Sequence, residues 1–291
     1  MYWYSKYLTY FEQSFDSAPE YVISEIKQGL KRFQPQNPLA TVVVIAHNEE
    51  TRLLSCIWSL SQNRCNYPVE IIGINNNSTD KTAQVFEMLG VQSFFEENKS
   101  PGYARACGLN KAKGKYYLSI DADTIYPESY IQTMIDELRK PGIVAVSSIY
   151  SFVPDKNNSK IKLKIYELLR NLHLKILSYR SPELSARGAV FAYITELGRK
   201  VGYRVDIKTG EDGSLALGLK KFGKIKLTLN RNARVITCTN PLKREGSLWQ
   251  NFMKKSVKEL KHLKRYIIKK EVYADKASNM ITPTPNSSSS E

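Results

Sequence analysis

KYYLSIDADT, residues 115–124, is a short apolar run that stops at two carboxylates, Asp121 and Asp123, separated by Ala122. Tyr116, Tyr117, Leu118 and Ile120 are strand-forming types, whereas Asp is depleted inside strands. The run therefore reads as a buried strand delivering both acids to its carboxyl end. Two carboxylates about 4 Å apart repel by roughly 4 kcal/mol at an effective dielectric near 20. A divalent cation relieves that repulsion, and the hard oxygen ligands suit Mg2+ or Mn2+ completing its shell with water and a substrate's phosphates. A solvated Asp-Ala-Asp turn satisfies the same short motif, so the surrounding chain has to decide between the two.

Working outward, ATVVVIA (residues 40–46) is almost wholly apolar, as a central parallel strand covered on both faces should be, and it stops at HNEE (47–50). A helix follows with Leu53, Leu54, Ile57, Trp58 and Leu60 on its buried side. VEIIGI (69–74) is a second strand, ending at NNNSTD (75–80), where Ser78 or Thr79 can cap a helix carrying Val85, Phe86 and Leu89. A short strand at 91–95 precedes a helix opened by Pro101-Gly102-Tyr103 and carrying Arg105, which leads into the opening strand. Strands alternating with helices predict a doubly wound, mostly parallel α/β sheet, whose ligands bind outside the strands' carboxyl ends. The polar clusters after the first, second and fourth strands all fall there.

Beyond the acid pair the pattern predicts helices at 127–138 and 160–179 and a strand at 143–149. It also predicts a strand at 184–193 with a glycine where backbones approach closely, and short strands at 224–229 and 233–238. TGEDG (209–213) sets Glu211 and Asp212 between glycines ahead of a helix at 214–221. One principal domain, residues 39–241, is thus expected. An N-terminal helical extension, 1–38, carries Val22, Ile26, Leu30 and Phe33 at helical spacing to cap its core. Residues 242–273 contain a basic amphipathic helix in which Trp249, Phe252, Met253, Val257 and Leu260 form one stripe and lysines crowd the rest. The Ser- and Pro-rich tail, 274–291, is expected to be disordered.

The chain has 291 residues, 42% of them hydrophobic, and 43 Lys and Arg against 28 Asp and Glu, a formal net charge of +15. Such a balance favours polyanionic partners: phosphate-bearing substrates, an anionic membrane surface or nucleic acid. The four scattered cysteines lack metal-ligand spacing and read as small core or surface residues in a reduced compartment. No apolar run is long enough to span a bilayer and the N-terminus lacks a signal peptide's apolar region. A cytoplasmic location is therefore expected, peripheral on the inner face of the membrane where residues 247–270 meet anionic lipid.

Taken together, AHNEE, NNNSTDKT, PGYARACGLNKAKGKYYLSIDADT and GEDGSLALGLKKFGKI, in that order, resemble the family 2 glycosyltransferases. That resemblance implies the GT-A (Rossmann-like) fold over residues 41–238. Ala46, His47, Asn48 and Glu49 after the first strand, with Asn75, Asn76 and Asn77 after the second, would hold the nucleoside of a nucleotide-sugar donor. Arg105 would approach its diphosphate, Asp121, Ala122 and Asp123 would form the metal-binding turn for one Mn2+ or Mg2+, with the two acids as ligands, and Asp212 beside Glu211 would be the general base of an inverting transfer. The acceptor implied is a glycan or lipid-linked hydroxyl in cell-envelope polysaccharide or glycolipid synthesis. The Q-x-x-R-W signature of processive members is absent, which implies addition of one sugar or a few.

Two other readings compete. A sugar-phosphate nucleotidyltransferase would need a Gly-rich phosphate loop after the first strand, where this chain has HNEE. A basic membrane- or nucleic-acid-binding protein without catalysis accounts for the charge. Its cations, however, concentrate in the C-terminal helix, and no nucleic-acid module is present, so nucleic acid is not an expected partner.

Overall fold

The computed structural model describes residues 2–153, 159–238 and 277–281. Single 3-10 turns at Tyr7–Thr9 and Phe15–Ser17 lead into helix α1 (Glu20–Leu30). Val22, Ile26 and Leu30 recur every four residues, and all three are buried together with Tyr7 and Phe15. The extension thus caps the core, as its spacing predicts.

The first half of the domain alternates β1 (Ala40–Ala46), α2 (Leu53–Ser61), β2 (Val69–Asn76), α3 (Thr82–Leu89), β3 (Ser93–Glu96), α4 (Pro101–Lys111) and β4 (Tyr116–Asp121). The second half runs β5 (Thr124–Ile125), α5 (Tyr130–Leu138), β6 (Ile143–Ser147), β7 (Tyr150–Phe152), α6 (Lys160–Ser178), β8 (Phe191–Ile194), α7 (Thr195–Val201), α8 (Glu211–Leu219), β9 (Lys224–Leu227) and β10 (Val235–Thr237). Seven strands form one sheet in the order β3-β2-β1-β4-β8-β6-β9, and β5-β10-β7 form a second, smaller one. Only β8 runs against the main sheet's direction, pairing antiparallel with β4 and β6. Because β1 is covered on both faces, its residues alternate between two cores. Val42 and Val44 join α1, α2, α3 and α5 on one side, and Val43 packs with α4, α7 and α8 on the other.

Four expectations shift. The stretch 184–193 is not one strand: 3-10 turns at Pro182–Ser185 and Gly188–Val190 precede β8. The reason is local, since the Ser185 hydroxyl bonds back to the Pro182 carbonyl at 2.6 Å and curls the chain. Helix α8 begins at Glu211, three residues before the expected start, after Gly210 in the left-handed region at φ 97°. Ser78 and Thr79 do not cap α3, because both face the loop after β1. Lys81 is the N-cap, and the side chain that bonds the helix start is that of Asp80, whose Oδ1 accepts from the Thr82 amide at 2.9 Å. Finally, residues 277–281, inside the stretch expected to be disordered, lie along 206–209. The Asn279 carbonyl accepts from the Lys208 amide at 2.8 Å, and Ile281 donates to the Asp206 carbonyl at 2.9 Å. The basic helix expected at 247–270 lies outside the described residues.

Candidate active site

Because β1 lies between β2 and β4, three carboxyl ends meet. Ala46 pairs with Asn75, and Ile45 pairs with Asp121. The loops after β1 and β2 are laced together. Asn48 donates its amide to the Ser78 hydroxyl (3.0 Å), Glu49 donates to the Thr82 hydroxyl (2.8 Å), and His47 Nδ1 lies 2.6 Å from the Asn76 carbonyl. Asn48 and Asn77 sit at φ 55° and 50°, a left-handed conformation that Asn tolerates better than most residues. The buried Asn76 side chain donates to the Asn98 carbonyl at 2.6 Å and Asn77 to the Glu97 carbonyl at 2.6 Å, joining the β2 loop to the one after β3. The expected nucleoside residues Ala46 to Glu49 and Asn75 to Asn77 are therefore neighbours on one preorganised rim.

Arg105, on α4, is the hub of the acids. Nη1 donates to the Ser119 hydroxyl (2.8 Å) and Nη2 to Asp121 Oδ1 (3.0 Å). Nε lies 3.4 Å from Glu211 Oε1 and 3.1 Å from Asp212 Oδ1. Its side chain is only 4% exposed, so the guanidinium expected to approach a diphosphate is instead turned onto the protein's own carboxylates. Burial works against its charge, but Asp212, Asp121 and Glu211 outweigh it and hold the guanidinium protonated. Gly188 is what leaves room: a Cβ there would stand 1.7 Å from Arg105 Nη2. The glycine expected where backbones approach closely instead faces a side chain. Asp212 is buried in the first turn of α8, and its Oδ1, off the line of the Arg105 N–H, has no hydrogen-bond partner among the described residues. Burial pushes the Asp212 carboxyl up to about 7, opposed by Arg105 and reinforced by Glu211 and Asp121.

Asp123 faces the second sheet. Its Oδ1 accepts from the Thr124 hydroxyl at 3.0 Å, and the Cys238 thiol donates to Oδ2 at 3.1 Å. Burial and the neighbouring Asp121 raise its pKa. Glu49, paired with Arg52 at 2.9 Å, is pushed up to about 8 by burial and by Asp123. Glu49, Asp121, Asp123, Glu211 and Asp212 thus crowd around two arginines, Arg105 and Arg52, and with burial their mutual repulsion raises Glu49, Asp123 and Asp212. Among the described residues no three His, Cys, Asp or Glu side chains close on one point as a finished metal centre. The donor set fits a divalent cation that takes the rest of its shell from a bound phosphate.

Every expected site residue is at this edge, and Arg105 joins the two acid pairs. Four participants were missed: Arg52, Cys238, Ser119 and Arg187. Cys238 is brought to Asp123 by strand β10, far along the chain, and a scattered cysteine carries no signal of that. Arg187 is exposed next to Gly188, and its charge lowers the Asp212 carboxyl.

The class of protein follows from fold and edge together: a GT-A enzyme fold with its acids at the strands' carboxyl ends. It resembles the solved glucosyl-3-phosphoglycerate synthase of Mycobacterium tuberculosis, crystallised with Mn2+, UDP-glucose and phosphoglyceric acid. That likeness has a TM-score of 0.53 at 19% identity, over 82% of this chain and 83% of that one. GalNAc-T7 with UDP, GalNAc and Mn2+ matches at TM-score 0.53 and 19% identity, over 70% of this chain and 44% of that one. The chain belongs to glycosyl transferase family 2, whose model matches residues 41–194. An uncharacterised glycosyltransferase of Rickettsia prowazekii is 26% identical over 248 residues, 77% of this chain and 74% of that protein. The glycosyltransferase GlyG of Streptococcus pneumoniae is 28% identical over 128 residues, 41% of this chain and 42% of that protein.

Proposed function

We propose that the protein moves a sugar from a nucleoside-diphosphate sugar to an acceptor hydroxyl with inversion, one sugar or a few at a time. The acceptor would be a glycan or lipid-linked hydroxyl in cell-envelope synthesis. The observation that carries this reading is the joining of Asp121 to Glu211 and Asp212 through buried Arg105, at the edge where the β1 and β2 loops form a rim.

On this reading the rim from Ala46 to Glu49 and Asn75 to Asn77 takes the nucleoside. Asp121 and Asp123 would hold a divalent cation, Mn2+ or Mg2+, which when bound offsets the charge gained by the departing diphosphate. The rest falls to the chain's own groups. An acceptor hydroxyl loses its proton to Asp212 as its oxygen bonds to the anomeric carbon, while the bond from that carbon to the phosphate oxygen breaks and its electron pair leaves with the diphosphate. An Oδ1 without a hydrogen-bond partner among the described residues and a pKa near neutral suit Asp212 to receive that proton. Arg105 acts as a positioning residue, fixing the base relative to the metal-binding turn. Arg187, exposed beside the acids, is placed to meet a phosphate or an acidic acceptor.

The test is turnover. Incubated with Mn2+ and a panel of nucleotide sugars, the protein is expected to release nucleoside diphosphate from one of them. Asp123→Ala should abolish that release, and Asp212→Asn should spare donor binding while removing transfer. Absence of metal-dependent turnover across the panel would sink the proposal.

A further inference from the structure

Helix α6 carries a periodicity that its packing does not use. Its inner face is fully engaged. Leu163 packs on Phe152, Glu167 accepts from the Ser151 hydroxyl and the Phe152 amide at 2.8 Å, and the Arg170 guanidinium lies 4.0 Å from the centre of the Tyr150 ring. The opposite face aligns Ile161, Ile165, Leu168, Leu172 and Ile176, followed by Tyr179 just past the helix end. Their exposures are 72%, 43%, 69%, 55%, 50% and 78%. Single apolar side chains in water are ordinary, but a row along a whole helix marks a contact surface.

Charge identifies what the row touches. Every exposed side chain on α6 is either apolar or a lysine: Lys160, Lys162, Lys164 and Lys175. The helix's single acid, Glu167, is turned inward. At about 100° per residue, Lys164 and Lys175 fall on one flank of the apolar row and Lys162 on the other. Beside the first turn lies Tyr2, 51% exposed, with Lys160 Nζ 4.1 Å from its ring centre, and the next residue, Trp3, is 43% exposed. A second copy of the chain on this face would set lysine rows against lysine rows. Residues 247–270 carry cations of the same sign, so they too would be repelled. An anionic lipid surface complements both features, because apolar side chains enter the acyl boundary while lysine stems reach out to the headgroups and Trp and Tyr sit at the interface.

We propose that α6, with Tyr2 and Trp3, lies flat on an anionic bilayer. No helix among the described residues is long and apolar enough to cross one. This surface is built of other residues than 247–270 and stands whether or not the site transfers a sugar. It also orients the site: α6 packs on the Pro182–Ser185 turn, and that turn packs on α8, whose first turn holds Glu211 and Asp212.

The test is flotation of the full chain with vesicles of phosphatidylcholine, alone or with about one-third phosphatidylglycerol. The wild type is expected to float with the anionic vesicles at low salt, to be released at high salt, and to stay behind with the neutral ones. Leu168→Glu with Leu172→Glu, at positions exposed in the fold, should lower the bound fraction about tenfold at unchanged melting temperature. Wild-type flotation by that double variant would overturn the proposal, leaving another segment responsible. A lowered melting temperature would overturn it by showing the row to be packed, and a wild-type dimer split by the same substitutions would overturn it in favour of self-association.

Discussion

Asp212 is held at a cost to the fold. Its carboxyl is raised from 3.8 to about 7 because burial among Glu211 and Asp121 disfavours its charge more than Arg105 favours it. Between those two pH values the folded protein holds a proton on this group that the unfolded chain has released. Its stabilising contribution is therefore full below about pH 4 and is lost as pH rises through about 7. A rise of that size, with the Arg105 attraction already included, corresponds to about 4 kcal/mol at most. Asp212→Asn is accordingly expected to raise the melting temperature by up to roughly 8–16 °C at pH 8 and to leave it near wild type at pH 4, by calorimetry. The same substitution should lower transfer by roughly 10²–10⁴-fold, and wild-type kcat/KM should climb with pH to a plateau above about 7 as the base ionises. Unchanged transfer in the Asn variant would remove Asp212 from the role of base.

Among the elements, the 3-10 turn at Gly188–Val190 matters as much as any helix, because it is what lets Arg105 reach across. A Cβ on Gly188 would lie 1.7 Å from Nη2 and 2.2 Å from Cζ, inside the guanidinium itself. Gly188→Ala must displace the arginine from the acids, and overpacking of this kind costs about 1–3 kcal/mol. Thermal denaturation should show that loss together with a fall in transfer. Gly213→Ala is the control for stability, since its Cβ would meet nothing nearer than the Glu183 carbonyl at 4.0 Å. The sequence marked the glycine within 184–193 but pointed to a backbone, not to the Arg105 side chain that it faces. The stretch's apolar character concealed that the chain curls into turns first, because a curl depends on which partners surround it.

For the molecule as a whole, a ligand that binds only the folded site stabilises everything connected to it. One nucleoside diphosphate, at 100 times its dissociation constant and with Mn2+, is expected to add about 2.7 kcal/mol. Differential scanning fluorimetry should register this as a rise of roughly 5–10 °C. Chelation of the metal should cancel the shift if Asp121 and Asp123 hold a cation beneath the phosphates. A shift that survives chelation would leave the nucleotide reading in place and remove the metal from it.

What the sequence determined by itself was the alternation of strands and helices, the parallel sheet, and the acids at its carboxyl edge, down to Asp121 and Asp123 in KYYLSIDADT. Those features follow from local periodicity and from where charged residues interrupt apolar runs, both of which can be read along the chain. Only the tertiary structure decided that Arg105 faces Asp121, Glu211 and Asp212 rather than an open cleft, and that Cys238 donates to Asp123. It alone shows that α6 turns its apolar row outward. Each of these depends on residues far apart in sequence meeting at one point. A helical stripe reads the same whether the fold covers it or leaves it bare.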